Sequence, residues 1–385
     1  MTLLLSLTPA ALAATLHVGP GQAYTDLGAA LASAADGDEV YVHAGTYDLS
    51  GTHTVLADDV TLRGEGSELV SIVPAPGGDC ALSVGALGVN GTGVRLEGLS
   101  SSCQLWPKYR SRVEVRDVLV SGADMLLWAL EVEVVDSSVT DGQLLVNDAL
   151  DVRLSGVEVV GGGGSVVRGH PFLGLPVEAR ITDSRFIDAE GAGLFVDKVD
   201  RLIFLDNWVC GATDSGLFVD VGDDGTDAVI RRNRWVGNEG GIGGGLVVSG
   251  RVGTPARVAL VDNVFWANRA IQALSAWLSN VPETHVVNNV FGASVHYPTN
   301  GAGSELLLDD TPLVLDHNLW WASPRAFVEG PATTGSNDVF ADPMFVAPST
   351  DCSVADFGLL PGSPALDAGH PSMLDPDGTV SDIGG

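Results

Sequence analysis

The chain has 385 residues, with 49 Gly, 45% apolar residues and only 18% charged ones. That balance is too apolar for disorder and too rich in Gly for a helical protein. Asp and Glu number 49 against 19 Lys and Arg, a formal charge of −30 that repels phosphate backbones and argues against a nucleic-acid partner.

The opening "MTLLLSLTPAALAATLHV" reads as a secretory leader over residues 1–14, with a short apolar core and an Ala11-Leu12-Ala13 cleavage pattern. It lacks the usual Lys/Arg start, and a buried N-terminal segment is the alternative. No later run approaches ~18 apolar residues, so no membrane span is expected. Export to a secreted or cell-surface location permits disulfides. Of the four Cys, Cys80 and Cys103 are near enough in sequence to pair, and Cys210–Cys352 follows by elimination. No CxxC supports a zinc site.

Residues 15–47 read as an N-terminal cap. After the strand "TLHVG", Thr25 is the expected N-cap of a short helix. Leu27, Ala30, Leu31 and Ala34 form its apolar stripe and Gly37 ends it. "EVYVHAGTYD" then supplies the first full strand and turn.

Residues 48–330 are repetitive. "VEVRDVLVSG", "ARITDSRFIDA", "LIFLDNWVCGA", "ALVDNVFWAN" and "PLVLDHNLWWAS" align as versions of one short strand, at periods of about 20–30 residues. One aligned position holds Leu99, Val118, Ser137, Val157, Ser184, Asn207, Asn233, Asn263, Asn289 and Asn318. Two residues later stand Val or aromatic residues such as Phe186, Trp235, Phe265, Phe291 and Trp320. Some units add a second strand after a Gly-rich turn: "GAGLFVD", "DSGLFVD", "GGGLVVS". Such periods with alternating strands predict an all-β parallel solenoid. Leucine-rich repeats share the period, but their LxxLxLxxN pattern and helical half-repeat are missing. Stacked coils place equivalent residues about 4.8 Å apart. The Asn column is therefore expected to be a buried ladder, each amide bonded to the next coil, with the following aromatics stacked inside.

Outside the ladder, several side chains carry candidate chemistry. "QLWPKYRSR" groups Trp106, Lys108, Tyr109, Arg110 and Arg112, the one basic-aromatic cluster; it is either a landing site for an acidic sugar or a loop packed on an early coil. Lys198 stands among Asp197, Asp200 and Arg201; Lys198 and Arg201 are the catalytic candidates, against a solvated turn with local ion pairs. One residue before the Asn column stand Asp183, Asp206, Arg232, Asp262, Asn288 and His317, expected to face solvent, with Asp206–Arg232–Asp262 as a salt ladder. Three residues after it, Trp266 and Trp321 are expected either on an exposed, sugar-stacking face or beneath a loop. Residues 331–385, rich in Pro, Gly and Asp, form the C-terminal cover. Asp375, Asp377 and Asp382 around Gly378 resemble part of a Ca²⁺ loop, the one cofactor suggested; a turn held by Asp side chains is the alternative.

"YTDLGAALASAADGDEVYVHAGTY" resembles the cap helix and D-G-D-x-[IV]-x-V-x-x-G-x-Y strand of exported bacterial right-handed parallel β-helix proteins of the pectin-lyase-like superfamily. "DPMFV…DFGLLPGSPALDAGHP…DPDGTVSDIGG" resembles the tail of the same group. The resemblance covers nearly all of the chain after the leader and implies a right-handed parallel β-helix. Members of the group include polysaccharide lyases, hydrolases and epimerases, and surface proteins without known activity, so the fold leaves function open. The N-T-D, G-H-G and R-I-K motifs of its hydrolases have no counterpart here. The expectation is therefore a monomeric, non-catalytic, carbohydrate-interacting surface protein. A divergent polysaccharide lyase or hydrolase is the first alternative, and a purely structural adhesin or fibre the second.

Overall fold

The computed structural model describes residues 12–84, 91–170, 173–296, 303–323 and 326–385. Short parallel strands wind into a solenoid of about 11 turns. Three columns of strands run its length. The first includes Arg201–Leu205, Thr226–Arg231 and Ala256–Val261, in unbroken parallel register. The second includes Trp208–Cys210, Arg234–Val236, Val264–Trp266, Val290–Gly292 and Leu319–Trp321. The third includes Glu190–Asp197, Leu217–Asp220, Leu246–Ser249, Ala273–Ser279 and Ser304–Asp309.

The corner between the first two columns is a single left-handed residue. Asp183, Asp206, Arg232, Asp262, Asn288 and His317 hold φ between 52° and 59°. Asp and Asn tolerate this region better than other side chains, because a short polar group can bond locally. Immediately after the corner, the aligned Asn residues turn inward. Asn233 donates from its backbone N (3.0 Å) and Nδ2 (3.1 Å) to Asn263 Oδ1, and Asn263 does the same to Asn289 Oδ1 at 3.0 and 2.9 Å. Each Nδ2 also reaches a carbonyl of the preceding coil, as from Asn263 to Ile230 at 2.9 Å. Ser184 continues the chain of bonds toward the N-terminus, donating its N–H to Asn207 Oδ1. At the other end Asp338 supplies the next acceptor, taking the Asn318 N–H at 2.9 Å and Trp320 Nε1 at 2.7 Å. Two residues inward, Trp235, Phe265, Phe291 and Trp320 stack with centroids 4.5, 4.9 and 4.5 Å apart, every ring nearly parallel to its neighbour.

A second Asn pair stands at the corner between the second and third columns. Asn238 donates to Asn268 Oδ1 from N and from Nδ2, both at 3.1 Å. The sequence shows it as Asn five residues after the first ladder, in "RNRWVGN" and "DNVFWAN".

The short helix α1 spans Leu27–Ser33. Its N-cap is Asp26, whose Oδ1 accepts the Ala29 N–H at 2.6 Å, so Thr25 is not the cap. It stops at Ala34, whose extended backbone ends the turn three residues before Gly37. Both disulfides form as expected. Cys80–Cys103 joins neighbouring coils, and Cys210–Cys352 ties the second column to the C-terminal segment. Among the described residues no helix is long and apolar enough to cross a membrane.

Candidate functional site

Two sequence-selected positions lie under the C-terminal segment. Trp266 was a candidate sugar-stacking residue, yet it is only 7% exposed. It stacks on Trp321 at 5.5 Å and 7° and is boxed by the edges of Phe345 and Phe357. The C-terminal segment, pinned by Cys210–Cys352, thus covers this aromatic pair and makes it a second apolar core. Asp262 was expected in solvent and is 2% exposed. Nor does it pair with Arg232: Arg231 holds Asp262 at 2.8 Å, while Arg232 makes two 2.7 Å bonds to Asp206. The expected ladder fails at its second step because Arg231, on the strand before the corner, already points at that carboxylate.

The basic-aromatic cluster is partly dispersed. Trp106 is half-buried edge-on to Trp128 at 5.9 Å, and Arg112 pairs with Glu114 and Glu133. The side chains of Lys108, Tyr109 and Arg110 lie outside the described residues, as do residues 1–11 of the leader. In the tail, Asp377 accepts bonds from Thr379 N and Oγ1 at 3.0 and 2.8 Å, and Asp382 accepts from Asp367 N at 2.8 Å. Burial pushes the Asp375 carboxyl above its ordinary value, reinforced by Asp382. These bonds are those of a turn built on Asp side chains.

The outward face of the third column is where chemistry gathers. Strands Glu190–Asp197 and Leu217–Asp220 end in alternating buried and half-exposed residues, so positions i and i+2 line one surface. The first row runs Leu126, Leu145, Val166, Phe195, Phe218, Val247, Trp277, Leu307 in strand register. Phe195 and Phe218 meet at 5.3 Å. The second row, two residues on, carries Trp128, Asn147, Arg168, Asp197, Asp220, Ser249, Ser279 and Asp309. An apolar rail therefore runs beside a polar one along the axis, open from Leu126 to Phe218 and interrupted by Val247, which is fully buried, and by Ser279, which is also buried. The signal was present in "LFVD", "LFVD" and "LVVS": alternate letters give Phe, Phe, Val on one row and Asp, Asp, Ser on the next.

Lys198 sits at the edge of this face. It is a left-handed corner residue (φ 56°) directly after Asp197. Asp197 is opposite Asp220 on the neighbouring strand, and Arg168 Nε binds Asp197 Oδ2 at 2.8 Å. Burial pushes the Asp220 carboxyl above its ordinary value, and the Asp197 charge adds to this; Arg251 and Lys198 oppose it. Arg251 also pairs with Asp223. Arg201 is on a different column, paired with Glu178 at 3.3 Å. Of the two catalytic candidates, only Lys198 joins the carboxylates.

A separate cleft of about 500 Å³ lies between the first corner and the tail, lined by Asp206, Trp208, Arg232, Arg234 and Asp382 among others. Its cations have partners: Arg232 is held by Asp206, and Arg234 donates to the Gly385 carbonyl at 2.7 Å. Burial pulls the Arg234 guanidinium down to about 10.

No family model matches the chain, and no curated protein matches it in sequence. Among solved structures, it is similar to the A-module of Azotobacter vinelandii mannuronan C-5 epimerase AlgE6 at 15% identity and a TM-score of 0.47, covering 83% of this chain and 96% of that one. The A-module of AlgE4 from the same organism gives 15% identity and a TM-score of 0.42 over 80% of this chain and 91% of that one. Pectate lyase Pel9A gives 12% identity and a TM-score of 0.31 over 98% of this chain and 96% of that one. The likeness is one of chain path: these are right-handed β-helix proteins of the pectin-lyase-like fold, and this chain is a parallel β-solenoid.

Proposed function

We propose that this protein binds a polysaccharide strand laid along the outward face of the third column. The observation that carries the reading is the pair of parallel rails. Aromatic and aliphatic side chains offer flat apolar surface to sugar rings, and the Asp, Ser and Asn beside them accept and donate bonds to hydroxyls. Equivalent rungs repeat about every 4.8 Å, so a chain lying along the axis meets the same chemistry over the successive coils from Leu126 to Phe218, up to the buried Val247. Asp197, Asp220 and Asp309 make the polar rail acidic, which favours a neutral glycan, or an acidic one bridged by a cation. The two disulfides fit an oxidising, extracellular setting.

A second reading, cleavage of the bound glycan, is favoured by the Asp197–Asp220 pair. Asp220, whose carboxyl burial and the Asp197 charge push above its ordinary value, suits a general acid; Asp197, bound to Arg168, is the carboxylate beside it. Lys198 beside them suits a base in a lyase. A panel of neutral and acidic polysaccharides, with and without Ca²⁺, tests both by affinity electrophoresis and by release of reducing or unsaturated ends. The binding reading expects retardation that Phe218→Ala weakens at least several-fold. Retardation unchanged in Phe195→Ala/Phe218→Ala would sink it. Depolymerisation abolished by Asp220→Asn establishes the second reading; a structural adhesin shows neither.

A further inference from the structure

The C-terminal segment folds back over the corner between the first two columns. Asn288, the left-handed corner residue, holds it there: Asn288 Oδ1 accepts the His370 N–H at 2.7 Å, and Nδ2 donates to Ser381 Oγ at 2.9 Å. One coil on, the equivalent corner residue is His317, preceded by Asp316 at the end of strand Leu313–Asp316. The fold-back therefore delivers the His370 ring to the His317 ring, at 5.1 Å between centroids and an angle of 67°.

Asp316, His317 and His370 present ligand atoms that all lie within 4.8 Å of one another, the one such group among the described residues. Two metal bonds of about 2.0–2.1 Å at a tetrahedral angle separate their ligand atoms by about 3.4 Å, so small side-chain rotations close the group on an ion. A second observation points the same way. His317 Nδ1 is buried and makes no hydrogen bond, although Asp316 Oδ2 is 3.1 Å away. That nitrogen and the Asp316 carboxylate thus face each other without a well-aligned hydrogen bond between them, and a cation placed there would be shared by both. Asn337 Nδ2 donates to Asp316 Oδ1 and Oδ2 at 3.0 and 3.2 Å, holding the carboxylate in place. His370 Nδ1 accepts the Ser372 N–H at 3.2 Å, so the neutral ring carries its proton on Nε2; binding a metal there requires that proton to move to Nδ1, where Ser372 Oγ at 2.7 Å accepts it.

We propose that Asp316, His317 and His370 form a binding site for a borderline divalent cation of the zinc type, which ties the C-terminal segment to the last coils. Two imidazoles and one carboxylate suit zinc and its neighbours; calcium and magnesium prefer all-oxygen sites. The remaining positions are left to water. Because the site joins segments from two parts of the chain, the bound ion stabilises the folded protein by mass action.

The test is titration of EDTA-treated full-length protein with ZnCl₂ by calorimetry, with CoCl₂ absorption reading the coordination. The expected result is one saturable Zn²⁺ site per chain that excess CaCl₂ does not displace. Affinity falls at least 10-fold in His317→Asn, chosen because Asn tolerates the left-handed corner, and in His370→Ala, whose backbone bond to Asn288 survives. Zinc raises the thermal midpoint of the wild type and leaves that of His370→Ala unmoved. The rival imidazole group is His17 and His43 with Glu65, so His43→Ala is the control. Absence of saturable binding, a loss smaller than 10-fold in His370→Ala, or loss in His43→Ala instead overturns the proposal. Should His317→Asn misfold, His370→Ala alone decides.

Discussion

Replacing Asn263 by Val removes one rung from the middle of the ladder. The Asn233 N–H, given to Asn263 Oδ1, loses its acceptor, and the Ile230 carbonyl, which also lies in the strand ladder, loses the bond from Asn263 Nδ2. Asn233 Nδ2 keeps Phe204 O and Arg231 O, and Asn289 Oδ1 keeps the backbone N–H of residue 263. Orphaning the buried N–H costs about 1–3 kcal/mol, and removing one of two bonds from the carbonyl about 0.5–1.5 kcal/mol. Burying Val in place of an amide returns roughly 1 kcal/mol, so the net loss is about 0.5–3.5 kcal/mol. Val occurs naturally at this position as Val118, whose own N–H goes to Ser137 Oγ just as that of residue 263 goes to Asn289 Oδ1; its neighbour on the other side is Leu99, with no side-chain amide to satisfy. Asn263→Ser, which restores one acceptor, is accordingly expected to lose less. Urea denaturation followed by tryptophan fluorescence and far-UV circular dichroism measures the difference. Exchange at the Asn233 amide locates it, since solenoid unfolding need not be two-state. A loss below about 0.5 kcal/mol, or an unprotected Asn233 amide in the wild type, would refute the ladder as a source of stability.

Breaking Cys210–Cys352 by paired Ser substitution frees a segment of sequence separation 142, a loop-entropy loss of roughly 5 kcal/mol on the chain-entropy account. Limited proteolysis should then expose the tail, and quenching should reach Trp266. Glu305 is fully buried, its carboxyl pushed up by burial, with Ser275 and Ser294 donating to Oε2 at 2.6 and 2.8 Å. A raised folded value means its stability contribution is complete below the unfolded Glu value and is lost as pH rises through the folded one. Glu305→Gln should therefore melt higher than the wild type at pH 8 and converge with it near pH 4; a constant difference contradicts the assignment. For Asp220, also raised, the sign is the same. If glycan cleavage is found, its rate should fall as pH rises through the Asp220 value, and Asp220→Asn should remove that limb of the profile.

The period, the parallel solenoid and the Asn and aromatic ladders were legible in the sequence, because each coil repeats one local problem. The chain must turn a corner, satisfy an inward amide and fill the tube, and Asp/Asn–Asn–x–aromatic solves all three at short range. The left-handed role of Asp206, Asp262 and Asn288 could have been read from residue type, yet their exposure could not. That depends on a tail without any period, whose route is set by Cys352, Asp338 and His370 meeting partners tens of residues away. The same tail turned Trp266 from a candidate sugar platform into core and brought His370 to His317. The third column lies between these cases. Its rails were written in "LFVD", but only parallel register shows that Phe195 and Phe218, and Asp197 and Asp220, stand side by side on an uncovered face. Local periodicity determines which residues face in; tertiary packing decides which outward faces stay open to a ligand.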